Sequence, residues 1–135
     1  MSLIKGHYKI GGVGAFLSLL LLILLVGCSA PSKQQVSQDF KELFSKEVGK
    51  GVQPIIISVG PGEGDSDNVY EHVKFDVVAD EDVVVKKGWF AGMSLRKGQK
   101  LYGGEVVMLY QKLSGSQWKM TRSDLKRAPS EQPVR

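Results

Sequence analysis

The chain has 135 residues, 42% hydrophobic and 24% charged, a composition that fits one globular domain and excludes a wholly disordered chain. Its formal net charge is +4 at pH 7, but two of the lysines precede residue 28. The remainder carries only +2, so the charge gives little support to a nucleic-acid-binding protein, and we expect no nucleic-acid partner.

The N-terminal segment has the layout of a secretory signal. Lys5, His7 and Lys9 occur without any acidic residue, and the apolar run VGAFLSLLLLILLV follows over residues 13–26. That run is shorter than the roughly 20 residues that comfortably cross a bilayer. We therefore expect residues 1–27 to be a cleaved signal peptide, with an uncleaved anchor helix as the alternative.

The apolar run ends in LVGC at residues 25–28, which resembles the lipobox of bacterial lipoproteins. The resemblance implies cleavage before Cys28, lipidation of its thiol, and anchoring in a membrane by acyl chains, with residues 28–33 as a tether. Ser29, where aspartate would signal retention, implies the periplasmic face of the outer membrane if the source is Gram-negative. Ordinary signal cleavage near Ala30 would instead leave a soluble product. Cys28 is the only cysteine, so no intramolecular disulfide can form.

A helix is predicted directly after the tether. Ser32 followed by Gln35 resembles a capping box, and apolar residues then recur at helical spacing. These apolar residues are Val36, Phe40, Leu43, Phe44 and Val48. The pattern predicts an amphipathic helix from about Lys33 to Val48, closed by glycines. Its apolar face could pack on the domain or lie on the membrane, and the mixed charge of its polar face favours packing.

Strands are predicted over most of the remaining chain. The segments that favour strands are residues 54–59, 69–79, 83–85, 105–113 and 118–122. Residues 60–68 (GPGEGDSDN) are predicted to be a loop, and residues 114–117 a hairpin turn. Strict alternation in 69–79 predicts one buried and one wet face. The glycine-rich segment 86–104 has no clear secondary structure, and residues 128–135 are predicted to be a disordered tail.

One helix followed by about five strands predicts an α+β domain over residues 34–127, with the N-terminal helix packed on a curved antiparallel sheet of four to five strands. This order resembles the small cone-shaped domains of the nuclear-transport-factor type and the cystatin type. The terminal hairpin, with its Trp-Lys-Met strand, particularly resembles the former. Such domains often enclose an apolar cavity, which implies a small-ligand carrier as one possible function.

No catalytic or metal-binding pattern emerges, so we expect a non-catalytic protein without a metal or cofactor. His72 and Asp76 share a strand face but lie about 13 Å apart along it, so a small hydrolase or isomerase centred on them is the minor alternative. Acidic residues crowd the loop at residues 63–68, but this loop matches the calcium-binding pattern at only two positions. A solvated loop is the better interpretation.

Cations interleave with aromatic residues in the segment 86–102. Its predicted binding residues are Lys86, Lys87, Trp89, Phe90, Arg96, Lys97 and Lys100. Such a surface suits glycans, anionic lipid headgroups or an acidic protein, although Trp89 and Phe90 could instead pack into the sheet. Residues 28–85 hold five lysines against eleven acids, whereas residues 86–135 hold eleven cations against three acids. We therefore expect an envelope lipoprotein that binds another envelope component, a protein or a glycan, as an accessory or assembly factor.

Overall fold

A computed structural model of the chain describes residues 30–132. The predicted signal peptide and the predicted lipidation site, Cys28, lie outside the described residues. The predicted helix is confirmed as α1, Lys33–Val48. Ser32 caps it, since its side chain accepts a 3.1 Å hydrogen bond from the Gln35 amide. Gly49 ends it at a φ of 88°, where its N–H donates to the carbonyl of Ser45.

The described residues contain seven strands. They are β1 (Val52–Val59), β2 (Glu63–Gly64), β3 (Asn68–Ala79), β4 (Val83–Val84), β5 (Ser94–Leu95), β6 (Lys100–Lys112) and β7 (Trp118–Arg127). Five form one antiparallel sheet in the order β1-β3-β6-β7, with β2 paired to the start of β3. Strands β4 and β5 form a separate two-stranded sheet. The α+β prediction, one helix packed on an antiparallel sheet, is thus confirmed.

Strand β3 shows how alternation divides the sheet into two faces. Its inner face, towards α1, carries Val69, Glu71, Val73, Phe75, Val77 and Ala79, all buried. Its outer face carries Tyr70, His72, Lys74, Asp76 and Val78. Register shifts interrupt the pairings of β3 with β1 and with β6, and these bulges bend the long strands. The predicted wet face of this strand is therefore the outer face of the sheet.

Aromatic rings fill the space between the helix and the sheet. Phe40 of α1 and Phe75 of β3 have ring centroids 5.0 Å apart, and Phe44 packs 6.1 Å from Phe75 with its edge towards the ring. Val36, Val73, Val77 and Val106 complete the fully buried group around them. Burial of these side chains is the main source of stability for the helix on the sheet.

Several boundaries differ from the sequence-based expectation. Strand β6 begins at Lys100 and not at residue 105, because a bulge accommodates Gly103 and Gly104 within the strand. Strand β7 continues to Arg127, and β2 lies inside the predicted loop. The expectation of disorder from residue 128 is wrong for residues 128–130. Ser130 exchanges two backbone hydrogen bonds with Tyr102, at 2.6 and 2.8 Å.

Candidate functional site

The predicted basic segment forms a lobe at one end of the sheet. Strands β4 and β5 pair through Val83 and Leu95, and a short 3-10 turn, Gly88–Phe90, lies between them. Gly98 donates to the carbonyl of Ala79 at 2.8 Å, which fastens the lobe to the end of β3. The lobe is therefore held by main-chain bonds that leave its long side chains directed to solvent.

Five cations of this lobe are exposed. They are Lys86, Lys87, Arg96, Lys97 and Lys100, and we call them the cationic end. None of them forms a side-chain ion pair within residues 30–132. Because no carboxylate neutralises them directly, they are available to an anionic partner.

The aromatic residues of the same segment do not share that exposure. Phe90 is 2% exposed and Trp89 is half-buried, with their rings 6.0 and 6.3 Å from Phe44. Phe90 is therefore a core residue, and the prediction that it contacts a partner is corrected. Trp89 also packs 6.5 Å from Phe75, so the core covers part of its ring. The cations, and not the aromatic rings, define this surface.

Gly88 sets how closely the lobe approaches the helix. Its φ is +76°, and it lies against the backbone carbonyl of Glu47 with no room for a Cβ atom. Only glycine combines that conformation with that contact. The C-terminal end of α1 and the cationic end consequently lie together.

Two acidic residues border the lobe and accept hydrogen bonds from it. Asp82 accepts a 2.8 Å hydrogen bond from the Lys97 amide, and Glu131 accepts a 3.3 Å bond from the side-chain amide of Gln99. These two carboxylates stabilise the turn at residues 96–99.

The opposite end of the domain is where the chain enters it. Pro31 is buried beside the helix cap, and Gln35 in the first turn bonds to the start of β7. The loop before β3 lies at this end as well, since the Lys112 amide donates to the backbone carbonyl of Asp67. A helix of 16 residues is about 24 Å long, so roughly that distance separates the entry point from the cationic end.

The structure does not join His72 to Asp76. The Nδ1 atom of His72 lies 3.4 Å from a carboxylate oxygen of Glu105 on β6, and both side chains are partly exposed. Asp76 instead accepts a 3.0 Å hydrogen bond from the Gly103 amide. Both residues lie on the open outer face of the sheet. There His72 contacts Glu105 and not Asp76, the contact that the hydrolase or isomerase alternative required.

No match was found among protein-family models, curated proteins or solved structures. Across residues 30–132, no group of three or more histidine or carboxylate side chains converges as metal ligands would. In the same part of the chain no helix has the length and apolar character needed to cross a membrane.

Sequence reasoning missed a polar group on the inner face of the sheet. Glu71 is 4% exposed, and its carboxylate lies against Gly62. Burial raises the pKa of Glu71, while the charges of His72 and Lys33 oppose that rise. Because residues alternate between the two faces along β3, residue 71 shares the buried face with Val69 and Val73. The sequence pattern therefore already indicated that Glu71 is buried.

The neighbouring polar contact joins the helix to the sheet. The Tyr110 hydroxyl donates a 2.8 Å hydrogen bond to Asp39 of α1. Burial, this hydrogen bond and the nearby charges of Asp39 and Glu71 all raise the pKa of Tyr110. The phenol therefore stays protonated and serves to hold α1 in place.

Proposed function

We propose that the protein is a membrane-anchored bacterial envelope lipoprotein that binds another envelope component without catalysing a reaction. One observation carries the proposal: five unpaired cations are exposed at the end of the domain opposite the entry of the chain at Pro31. The apolar leader and the lipobox-like sequence before Cys28 supply the anchor in this proposal.

The tether makes the orientation of the domain matter. With lipid on Cys28, about five residues separate the bilayer from α1, a reach of at most roughly 18 Å. The entry end then stays close to the anchoring membrane, and the cationic end lies about one helix length from the entry end. When the helix points away from the bilayer, the headgroups of the anchoring membrane lie out of reach of Lys86 and Lys87. An acidic protein surface or an anionic glycan fits better.

The geometry favours this proposal over the two alternatives. A small-ligand carrier needs space between the helix and the sheet, and there the rings of Phe40, Phe44 and Phe75 lie in contact. A hydrolase or isomerase needs His72 and Asp76 to converge, and each has a different partner. Binding at an exposed surface requires neither condition.

The test is cross-linking in intact envelopes, followed by quantitative mass spectrometry of the captured partners. The variant Lys86→Glu, Lys87→Glu, Lys97→Glu reverses three charges of the cationic end while leaving the packed Trp89 ring unchanged. The control variant, Lys119→Glu, Arg122→Glu, Arg127→Glu, reverses three exposed cations on β7. The proposal predicts that a defined partner is lost only in the first variant. Identical partner sets in the wild type and the first variant would contradict it.

A further inference from the structure

We propose that an extended, acidic segment of a partner protein docks along the edge strand β1, beside the cationic end. This inference rests on the proposed function and names the chemistry of the partner. Strand β1 ends the sheet on one side, and Val52 at its start pairs with Ala79. The docking edge therefore begins at the end of the sheet where the lobe is fastened.

Strand β1 presents two partly exposed apolar side chains to solvent. Ile55 is 38% exposed and Ile57 is 59% exposed, and both are β-branched residues suited to contacts between strands. The eight residues of β1 include no charge. Since β1 is an edge strand, a further extended segment could lie alongside its uncharged residues, with the Glu81 carboxylate beside Gly51 just before the strand begins.

A groove of about 430 Å³ continues from β1 to the C-terminal half of α1. Its lining includes Phe44, Gln53, Pro54 and two lysines, Lys41 and Lys50, and no acidic residue. Neither lysine forms an ion pair within residues 30–132. Two unpaired cations beside an uncharged strand are complementary to a segment that presents apolar side chains on one face and carboxylates on the other.

The features of β1 argue against a second copy of this chain as the occupant. Pro54 has no N–H to donate to a further strand, and a bulge disrupts the register between Ile56 and Ser58. If β1 of one copy paired with β1 of another, the missing N–H and the bulge would occur in both strands of the pair. If the occupant is a segment of a partner protein, the missing N–H and the bulge occur in only one of the two strands. Contacts through side chains then recognise the segment, and the lysines select it by charge.

The other edge of the sheet lacks the apolar contact. Strand β7 carries Lys119, Arg122, Lys126 and Arg127, and its large apolar residues are at least partly buried. An acidic segment there would meet mainly exposed charge, whose attraction salt screens readily. Strand β7 therefore provides the matched control.

The experiment uses the full chain in non-ionic detergent and a fluorescent peptide as long as β1, with alternating valine and aspartate. Fluorescence anisotropy measures the dissociation constant. We expect saturable binding that Lys41→Glu with Lys50→Glu weakens about tenfold, and Ile57→Ser about fivefold. The β7 variant, Lys119→Glu with Arg122→Glu, should change the constant less than about twofold.

Three results would overturn the inference: absence of saturable binding, equal binding of a peptide with lysine in place of aspartate, or equal weakening by the β7 variant. Sedimentation velocity that shows a dimer which Ile57→Ser dissociates would also overturn it, because the occupant would be a second copy. Loss of the envelope partner in the cationic-end variant, without peptide binding in the wild type, would overturn only this inference. The proposed function would stand.

Discussion

The side-chain amide of Gln35 donates a 2.8 Å hydrogen bond to the backbone carbonyl of Trp118, 83 residues later in the chain. This bond joins the first turn of the helix to the start of the last strand. In a capping box, the side chain of Gln35 would turn back and bond to the backbone N–H of the cap residue, Ser32. Its backbone amide still donates the capping hydrogen bond to the Ser32 hydroxyl, while its side chain makes the tertiary contact.

Replacing this side chain should weaken the junction. We expect Gln35→Ala to lower the free energy of unfolding by about 1 kcal/mol, since a part-buried carbonyl loses a donor. Gln34→Ala, at the exposed neighbouring position, should change it by less than about 0.5 kcal/mol. Chemical denaturation of the two variants measures the difference. Equal effects would show that the bond contributes nothing specific.

Gly88 and Gly92 offer a second matched pair. Both have a positive φ, +76° and +87°, but only Gly88 lies against another backbone atom, the Glu47 carbonyl. Gly92→Ala should cost about 1 kcal/mol for the conformation alone, and Gly88→Ala more than about 2 kcal/mol because the helix and the lobe must separate. Thermal unfolding distinguishes them. A smaller loss for Gly88→Ala than for Gly92→Ala would refute the close contact.

Glu71 predicts a pH dependence of stability. Burial raises the pKa of this carboxyl in the folded protein above its ordinary value of 4.5, so the folded state binds the proton more tightly than the unfolded state. The favourable contribution of this group is complete below pH 4.5 and is lost as pH rises through the raised folded pKa. Above that pKa, the buried charge destabilises the domain.

Glu71→Gln removes this titration. We expect the variant to unfold at higher denaturant concentration than the wild type at pH 7, and the advantage to shrink towards pH 4. Glu63→Gln, on an exposed residue, is the control and should show no such trend. A difference between Glu71→Gln and the wild type that stays constant from pH 4 to pH 7 would contradict the assignment.

The elements that the sequence predicted best are those with both a periodic pattern and a defined end. Ser32, the spacing of Phe40 and Phe44, and Gly49 together predicted a helix from about Lys33 to Val48, which are the ends of α1. The hairpin around residues 114–117 followed from a short glycine-containing link, and the Leu113 amide does donate to the Gln117 carbonyl across it. Local chemistry decides such elements.

The parts of the fold that the sequence did not predict depend on contacts between residues that lie far apart in the chain. Gly103 and Gly104 weaken a strand by propensity, yet β3 holds them in β6, and Phe75 occupies the space where a Cβ of Gly104 would lie. Residues 128–130 have almost no apolar content, but pairing with Tyr102 holds Ser130. Neither contact leaves a periodic signal.

The sequence predicts the exposed charges of the candidate site but not how its aromatic residues pack. Exposure of Lys86 and Lys97 follows from their chemistry, because lysine is seldom buried without a partner. From the sequence, Phe90 could either contact a partner or pack into the sheet. Its ring lies in the core next to Phe44. The distance between the cationic end and Pro31 required the three-dimensional arrangement.

The central claim is that a lipid on Cys28 holds the entry end of the domain at a membrane. Intact mass spectrometry of the full-length gene product, extracted from membranes of the native host, tests it most directly. We predict a chain that begins at Cys28 and carries diacylglyceryl and acyl mass, with Cys28→Ser leaving an unmodified, uncleaved precursor. An intact N-terminus with an unmodified Cys28 in the wild type would contradict the claim.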